Sequence, residues 1–297
     1  MKKSDKPCIG IICRPRYNVT ERHLIPDLKK KFNVVLFPIQ KDIDYLQLKK
    51  QSEETRIILN TAADMPNTYD SLEIVKTFEG LGKHVIDSSK SFYYREDKWL
   101  FYLTCIKNKL PTPITYYIPR DINMSRGKLR EILADGAVVF KGIFSDTGHA
   151  VKRATNYKEA LHIVGVLRKK VGVMPIVAQR YIPHGTVSYR VTLIGDKIIQ
   201  SIIKYGKNWK EGKLFWKNEK YRTFKPDRNL TKLCKKTVRV FGLEWCGIDL
   251  LKDVDNKWVI IEVNSCPSMD FVVKDMKRAN KKLINYFLRL NKGLEKR

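Results

Sequence analysis

The first 90 residues alternate short apolar segments with amphipathic ones, and no other feature constrains the fold as strongly. The apolar segments predict four strands, at residues 9–12, 34–37, 57–59 and 84–86. The amphipathic segments predict helices at residues 21–31, 43–53 and 71–81. Strands that are joined through helices run parallel, so the sequence predicts a small parallel-sheet α/β domain. Arg14-Pro15-Arg16 follows the first strand where a glycine-rich loop would stand, which excludes an ordinary dinucleotide or P-loop unit.

Beyond this region the pattern of apolar residues changes, and we expect a second, larger domain. The N-terminal α/β domain spans residues 1–92, and a two-lobed α+β domain spans residues 93–297. Its central lobe, 93–176, mixes helix and strand signals, whereas its C-terminal lobe, 177–297, is mostly β. This length is ample for a buried core in each part.

Three stretches of the second domain have a distinct character. Residues 96–110 predict one amphipathic helix, which ends where Pro111 and Pro113 force an extended segment. Residues 205–229 form a long polar stretch without a clear period, and a basic amphipathic helix begins at about residue 273.

Composition excludes several classes of protein. The chain has 297 residues, of which 43% are hydrophobic and 30% charged, as in a globular protein, and no apolar run approaches the length of a membrane span. Six cysteines lack paired spacing, which argues against a zinc site or a disulfide framework and predicts reduced thiols and a cytoplasmic location. The net charge of +27 attracts anions such as nucleic acids, phosphorylated molecules or acidic peptides, although a lysine-rich solvated surface is the plain alternative.

Two apolar strands near the C-terminus, 247–251 and 258–264, flank a polar stretch that predicts a hairpin turn. With the turn centred on its Asp-Asn dipeptide, Asp249 lies directly opposite Glu262. Side chains alternate along a strand, so Glu262 and Asn264 share one face and Asp249 meets them across the ladder. The hairpin therefore gathers two carboxylates and an amide oxygen on one patch.

This set of oxygen ligands predicts a metal site. Opposed carboxylates repel each other unless a cation lies between them, and a few hard oxygen ligands suit Mg²⁺ that is shared with substrate phosphates. The alternative is a solvated edge hairpin, which would need neither Asn264 nor the Ser265-Cys266-Pro267-Ser268 run that follows. On the metal interpretation, neutralising Asp249 or Glu262 relieves repulsion and leaves the fold intact.

Two basic residues are candidates for contacts with phosphate. Lys141 ends an apolar run, and a lysine at the end of a buried strand pairs naturally with a phosphate, unless it only extends into solvent. Arg190 lies on a predicted strand, 188–194, where it either points inward to stabilise a transferring phosphoryl group or belongs to a polar outer face. The residues 179–182 end another strand, and their backbone edge beside an aromatic ring can bind an adenine.

In order and spacing, these motifs resemble the ATP-grasp superfamily, and within it the RimK-type glutamate ligases. The resemblance covers roughly residues 85–270 and rests on the following residues: Asp97-Lys98, Lys141, Gln179-Arg180-Tyr181-Ile182, Tyr189-Arg190-Val191, Phe215-Trp216-Lys217-Asn218, Gly247-Ile248-Asp249 and Glu262-Val263-Asn264-Ser265-Cys266-Pro267. It implies an ATP-grasp domain whose two lobes hold ATP between them, preceded by the N-terminal parallel-sheet domain.

The resemblance also implies a role for each matching residue. The phosphate contacts are Lys98 and Lys141, the adenine contacts are Gln179, Arg180, Tyr181 and Ile182, the ribose position is Ser188, and the metal ligands are Asp249, Glu262 and Asn264. Arg190 faces the reacting phosphoryl group, and Asn218 lies beside the metal and phosphates. The metal is magnesium, with manganese as an alternative, and two ions are expected. Arg180 and Ser188 stand where the family usually has acidic residues.

Three functions fit these motifs. The first is a carboxylate–amine ligase that acts through an acyl phosphate and joins an amino acid such as glutamate to an acidic acceptor. The second is an inositol phosphate kinase of the same fold, which the charge, His149 and the Lys207-Asn208-Trp209 run favour. The third is a basic nucleic-acid-binding protein on a degenerate scaffold, against which the intact set of metal ligands stands.

Overall fold

The computed structural model describes residues 6–39, 44–62, 68–144, 151–172, 174–206 and 220–296. They form one parallel and two antiparallel sheets covered by helices, and this mixed architecture confirms the predicted fold class. Within the described ranges, no helix is long and apolar enough to cross a membrane.

The N-terminal part is a parallel sheet with strand order β2-β1-β3-β4. Its elements are β1 (Cys8–Cys13), α1 (Val19–Lys29), β2 (Asn33–Pro38), α2 (Tyr45–Gln51), β3 (Thr55–Asn60), α3 (Thr68–Gly80) and β4 (His84–Ile86). Helix α1 begins with a reciprocal cap, in which the Asn18 side chain accepts from the Glu21 N–H and the Glu21 carboxylate accepts from the Asn18 N–H.

The middle of the chain forms an antiparallel sheet with order β5-β8-β6-β7. Its elements are α4 (Ser89–Glu96), α5 (Lys98–Lys107), β5 (Thr115–Ile118), α6 (Ile122–Ala134), β6 (Val138–Gly142), β7 (Val151–Ala154), α7 (Tyr157–Val171) and β8 (Ile176–Arg180). The prediction of a single helix at residues 96–110 is wrong about where that helix begins. Asp97 is extended and its carboxylate caps α5 through the N–H groups of Trp99 and Leu100, so the chain forms two helices there.

The third sheet is antiparallel, with order β11-β10-β9-β12-β13. Its elements are β9 (Val187–Ile194), β10 (Lys197–Tyr205), β11 (Lys220–Thr223), α8 (Arg228–Phe241), β12 (Trp245–Lys252), β13 (Trp258–Ser265) and α9 (Val273–Leu294). Strand β11 lies inside the polar stretch at 205–229, for which no strand was predicted. It pairs with the edge of β10, so backbone hydrogen bonding rather than apolar burial defines it.

One apolar core joins two sheets, and another belongs to the central sheet alone. The N-terminal sheet shares a core with the C-terminal lobe, in which Leu24 and Phe32 pack with Trp245, Leu283 and Phe287. The central sheet closes over a core of its own, to which α6 and α7 contribute.

A polar contact reinforces the junction between the N-terminal sheet and the C-terminal lobe. Asp87, directly after β4, accepts hydrogen bonds at Oδ1 from the backbone N–H groups of Glu244 (2.6 Å) and Trp245 (3.1 Å). The N-terminal sheet is thereby fixed to the strand that carries Asp249.

Candidate active site

The predicted carboxylate hairpin forms with the expected pairing. Asp249 on β12 lies opposite Glu262 on β13, and Gly247 lies opposite Asn264. The turn itself differs, because Lys252 pairs with Trp258 and the centre therefore falls on a single residue. A bulge beyond Asp249 places one extra residue in β13 and restores the predicted register at the site.

The carboxylate of Asp249 is held by two cations. Arg190 lies directly opposite it on β9 and donates from Nε to Oδ1 (2.7 Å) and from Nη2 to Oδ2 (2.5 Å). Lys204 on β10 donates from Nζ to Oδ1 (3.2 Å). The two side chains of the Arg190–Asp249 pair are only 12% and 11% exposed, so this bidentate pair is shielded from water.

This arrangement revises one expectation from the sequence. Neutralising Asp249 was expected to relieve repulsion with Glu262 and leave the fold intact. The structure shows that Asp249 balances Arg190 and Lys204, so its loss leaves two buried cations without their shared partner. The inward orientation of Arg190, one of the two alternatives, is confirmed by the same contacts.

Phe271 covers both cations. Its ring centre lies 5.5 Å from the Arg190 guanidinium carbon and 5.2 Å from Lys204 Nζ. These distances allow cation–π attraction and keep both long side chains directed at the carboxylate. From the sequence, Lys204 lies in a region that could line the same cleft, but its spacing did not reveal the contact with Asp249, and Phe271 was assigned no role.

The oxygen ligands fit a metal ion that is shared with a phosphate better than one that the protein encloses completely. The Asn264 side chain donates to Asp249 Oδ2 (3.2 Å) and reaches Glu262 Oε1 (3.5 Å), so the three groups converge. In the described part of the chain, no group of three His, Cys, Asp or Glu residues surrounds one point. Two carboxylates and one amide suit Mg²⁺ that completes its shell with phosphate oxygens and water, once the Asn264 amide turns its oxygen inward.

A second polar group lies on the central sheet. Lys141 is buried on β6, and its Nζ donates to Gln179 Oε1 on β8 (2.7 Å). Gln179 in turn donates to Thr115 Oγ1 (3.3 Å). The backbone N–H of Lys98, the first residue of α5, donates to the carbonyl of Ile143, so the start of α5 lies beside the end of β6.

The Arg180 side chain turns toward the edge of the central sheet. It donates to the Gly136 carbonyl (2.9 Å) and to the Asp135 carboxylate (3.2 Å). Through the backbone, Arg180 N–H bonds the Ile114 carbonyl and Tyr181 N–H bonds the Ala137 carbonyl. The guanidinium of Arg180 is therefore engaged by protein groups at the edge of the sheet.

The remaining predicted site residues are placed as follows. The Tyr181 ring lies 4.8 Å from the Arg153 guanidinium carbon, and Ile182 follows in the segment between β8 and β9. Ser188 lies on β9 opposite Lys204. His149 and Asn218 fall outside the described residues, as does the Lys207-Asn208-Trp209 run.

Comparison with solved structures places the fold among ATP-grasp proteins. A RimK-domain ATP-grasp protein of Sphaerobacter thermophilus DSM 20745 superposes with a TM-score of 0.70 at 16% identity, covering 94% of this chain and 98% of that one. The ATP-grasp ligase PsnB, bound to a minimal precursor, Mg and ADP, has a TM-score of 0.69 at 14% identity and covers 96% and 99%.

The sequence comparisons define the family. A relative named probable alpha-L-glutamate ligase from Haemophilus influenzae (strain PittEE) is 20% identical over 209 residues, which are 70% of this chain and 68% of the relative. The sequence profile of the RimK-like ATP-grasp domain matches residues 95–287. The chain belongs to this family and is an ATP-dependent ligase of the ATP-grasp, carboxylate–amine class, in which ATP and Mg²⁺ are used.

Proposed function

We propose that this protein activates a carboxylate with ATP and Mg²⁺ and joins it to an amine through an acyl phosphate, adding an amino acid such as glutamate to an acidic acceptor. The observation that carries the proposal is the convergence of Asp249, Glu262 and Asn264 with Arg190. Oxygen ligands next to a buried guanidinium are suited to a phosphoryl group in transfer.

Asp249, Glu262 and Asn264 would hold Mg²⁺, which when bound neutralises charge on the nucleotide phosphates. Lys98 and Lys141 would contact those phosphates, and residues 179–182 and Ser188 would contact the adenosine. Asn218 would lie beside the metal and phosphates, and two ions are proposed. Arg190 and Lys204 donate to the carboxylate of Asp249, and a Mg²⁺ ion bound there would free Arg190 to face the γ-phosphate.

The reaction then has two steps. A carboxylate oxygen attacks the γ-phosphorus, the bond from phosphorus to the β,γ-bridging oxygen breaks, and ADP leaves with the electron pair. The amine nitrogen attacks the acyl carbon, the bond from carbon to the phosphate oxygen breaks, and inorganic phosphate leaves while the nitrogen loses a proton. Positioning and charge neutralisation by Lys141 and Arg190 carry both steps, because the protein supplies no covalent intermediate.

The charge of the chain supports an acidic acceptor. Residues 177–297 contain 27 Lys and Arg against 12 Asp and Glu, so the lobe that carries the metal ligands is also strongly basic. A basic surface raises the local concentration of an acidic peptide or dicarboxylic acid. The name of the H. influenzae relative supports glutamate as the added amino acid.

One assay tests the proposal against its two alternatives. The protein is incubated with γ-labelled ATP, Mg²⁺ and either amino acids with tetra-L-glutamate or a mixture of inositol phosphates. Free labelled phosphate that depends on both an acidic acceptor and an amino acid supports the ligase. Label on inositol would establish the kinase, and salt-sensitive RNA binding without ATP turnover would establish the nucleic-acid-binding protein.

A further inference from the structure

Helix α5 carries apolar side chains on the side that faces solvent as well as on the side that faces the core. Phe101 and Cys105 are buried in the core that α5 shares with α8. Trp99, Leu103 and Ile106 follow the three- and four-residue spacing of one helix face and lie on the opposite side. Leu103 is 44% exposed and Ile106 is 53% exposed. The outer face of this helix is therefore an apolar stripe in contact with water.

Tyr117 on β5 extends the stripe toward the nucleotide side of the central sheet. Its side chain is 40% exposed, and its ring centre lies 5.9 Å from that of Trp99. In the ladder, Tyr117 lies opposite Val177 and Val177 lies opposite Lys141, so the three side chains share one face of the sheet. Two strand spacings, about 10 Å in all, separate Tyr117 from Lys141. We refer to the four outward-facing side chains as the α5 surface: Trp99, Leu103, Ile106 and Tyr117.

The chain around the α5 surface is basic. Residues 98–120 contain three Lys and one Arg and neither Asp nor Glu, and residues 228–243, which include α8, contain five Lys and Arg and no acid. The two helices are joined where Lys236 Nζ donates to the Asn108 carbonyl (2.6 Å). Asp97 and Asp227, the acids that precede these segments, cap α5 and α8. The apolar stripe is therefore bordered by an excess of positive charge.

These properties fit an acidic protein better than a nucleic acid or a second copy of the chain. Exposed apolar side chains that lie side by side, unlike scattered ones, mark sites of interaction. Nucleic-acid surfaces contact phosphates and stack bases on rings, and the aliphatic side chains of Leu103 and Ile106 offer no stacking face. In a symmetric dimer the same basic surface would face itself, and like charges oppose such contact.

We propose that the α5 surface docks an acidic protein segment with aliphatic side chains, and that this segment belongs to the protein whose carboxylate the enzyme activates. The second part rests on the proposed function. The N–H of Lys98, the first residue of α5, bonds the Ile143 carbonyl beside the end of β6. A segment docked along α5 thus has one end at the nucleotide cleft, and holding it there raises the effective concentration of the acceptor carboxylate.

Two labelled peptides test the docking surface without ATP or Mg²⁺. In the first, of about 16 residues, Leu recurs at every third or fourth position among Glu residues, so that a helix of this sequence has one apolar face. The second replaces each Leu by Gln and keeps the charge. Fluorescence anisotropy measures both affinities. We expect the wild type to bind the Leu peptide at least about 10-fold more tightly than the Gln peptide.

Variants locate the binding. Leu103→Ser combined with Ile106→Ser should weaken binding of the Leu peptide at least about 10-fold, and Lys107→Glu should weaken it about 3-fold to 10-fold at low salt and less at high salt. Leu46→Ser on α2 and Lys292→Glu in the last turn of α9 are the matched controls and should stay within about twofold. Thermal unfolding verifies that these exposed substitutions leave the fold intact.

Kinetics test the acceptor role with the same peptide. With ATP, Mg²⁺ and L-glutamate, the Leu103→Ser and Ile106→Ser double variant should raise the KM for the Leu peptide about 10-fold. Its kcat, and its KM for tetra-L-glutamate, should stay within about twofold of the wild type, because a docking surface acts on binding away from the reacting atoms.

The outcomes separate the docking surface from the ligase function. Equal affinity of the wild type for the two peptides, or an unchanged affinity in the double variant, would overturn the docking surface. Tighter binding of single-stranded RNA or of anionic phospholipid vesicles, lost in the double variant, would replace the acidic protein by that partner. An unchanged KM for the Leu peptide would reject the acceptor role. Peptide binding at the α5 surface without turnover of any acceptor would reject the ligase function and leave the docking surface established.

Discussion

The guanidinium of Arg190 and the carboxylate of Asp249 face each other on adjacent antiparallel strands and share two hydrogen bonds. The pair fixes the orientation of the Asp249 carboxylate. A Mg²⁺ ion bound at Asp249, as proposed, would compete with two cations for the same oxygen atoms, since Lys204 binds Oδ1 as well. Nucleotide phosphates that accept Arg190 and Lys204 would lower that cost, so we expect Mg²⁺ and nucleotide to bind cooperatively.

The two carboxylates of the hairpin should therefore behave differently when neutralised. Asp249→Asn should lower the free energy of unfolding by about 3 kcal/mol, because it leaves Arg190 and Lys204 without their shared anion. Glu262→Gln should change it by less than about 1 kcal/mol. Both should lower Mg²⁺-dependent ADP formation at least about 100-fold.

Urea unfolding without metal and steady-state kinetics check this contrast. The matched control is Asp255→Asn in the turn of the same hairpin, where the carboxylate is 64% exposed and should affect neither quantity. Equal stability of the Asp249 and Glu262 variants would contradict the charge balance described above.

Lys141 should matter for nucleotide binding more than for folding. Lys141→Met removes the donor to Gln179 and the charge that would meet a phosphate, so the affinity for Mg-ADP should fall about 10-fold to 100-fold. Stability should fall by only about 1–2 kcal/mol, since Gln179 keeps its bond to Thr115.

Isothermal titration with Mg-ADP measures the first effect, and Lys152→Met on the neighbouring strand β7 is the control. An affinity that is unchanged in Lys141→Met would remove this residue from the phosphate site.

Asp87 should make stability depend on pH. Burial is the largest cause that raises the pKa of its carboxyl, from an ordinary value of 3.8 to about 7, against the N–H groups of Glu244 and Trp245. Between these values the folded state holds a proton that the unfolded state has lost. The contribution of Asp87 to stability is therefore present at low pH and is lost as the pH rises toward 7.

Asp87→Asn imitates the protonated acid and keeps an oxygen for the same two N–H groups. It should match the wild type in unfolding free energy near pH 4 and exceed it by more than about 1 kcal/mol near pH 8. Unfolding curves across this range provide the measurement, and parallel pH profiles for the two proteins would rule out the titration.

Gly247 has no side chain, which allows Pro267, in the segment after the hairpin, to pack closely against it. A Cβ at this position would lie 2.8 Å from Pro267 Cβ, a contact that neither backbone can avoid without moving. Gly247→Ala should cost about 1–3 kcal/mol and reduce turnover, because Pro267 follows Asn264, a proposed metal ligand, by three residues.

Gly165→Ala is the matched control, since it lies within α7 and a Cβ there meets no atom within 4 Å. It should stabilise the protein by about 0.5–1 kcal/mol. Thermal unfolding of both variants tests the contrast.

Local patterns in the sequence predicted what depends on local spacing. The strands and helices of the first 90 residues follow from their periodicity, and the pairing of Asp249 with Glu262 follows from the symmetry of the hairpin. The predicted pairing was correct although the predicted turn centre was not. The bulge in β13 compensates for the displaced turn, and no residue in the sequence indicates this bulge.

Contacts between distant strands were harder to predict. Lys204 reaches Asp249 only because β10, β9 and β12 are neighbours, and nothing in the spacing of these residues reveals this order. Helix α4 was missed because its polar and aromatic residues follow no clear helical period.

The separate core of the central sheet has a consequence for the working cycle. The N-terminal and C-terminal parts share one apolar core, whereas the central sheet packs with α6 and α7 in a core of its own. We therefore expect the central sheet, with Lys141, to move as one rigid body relative to the other two sheets when a nucleotide binds or leaves.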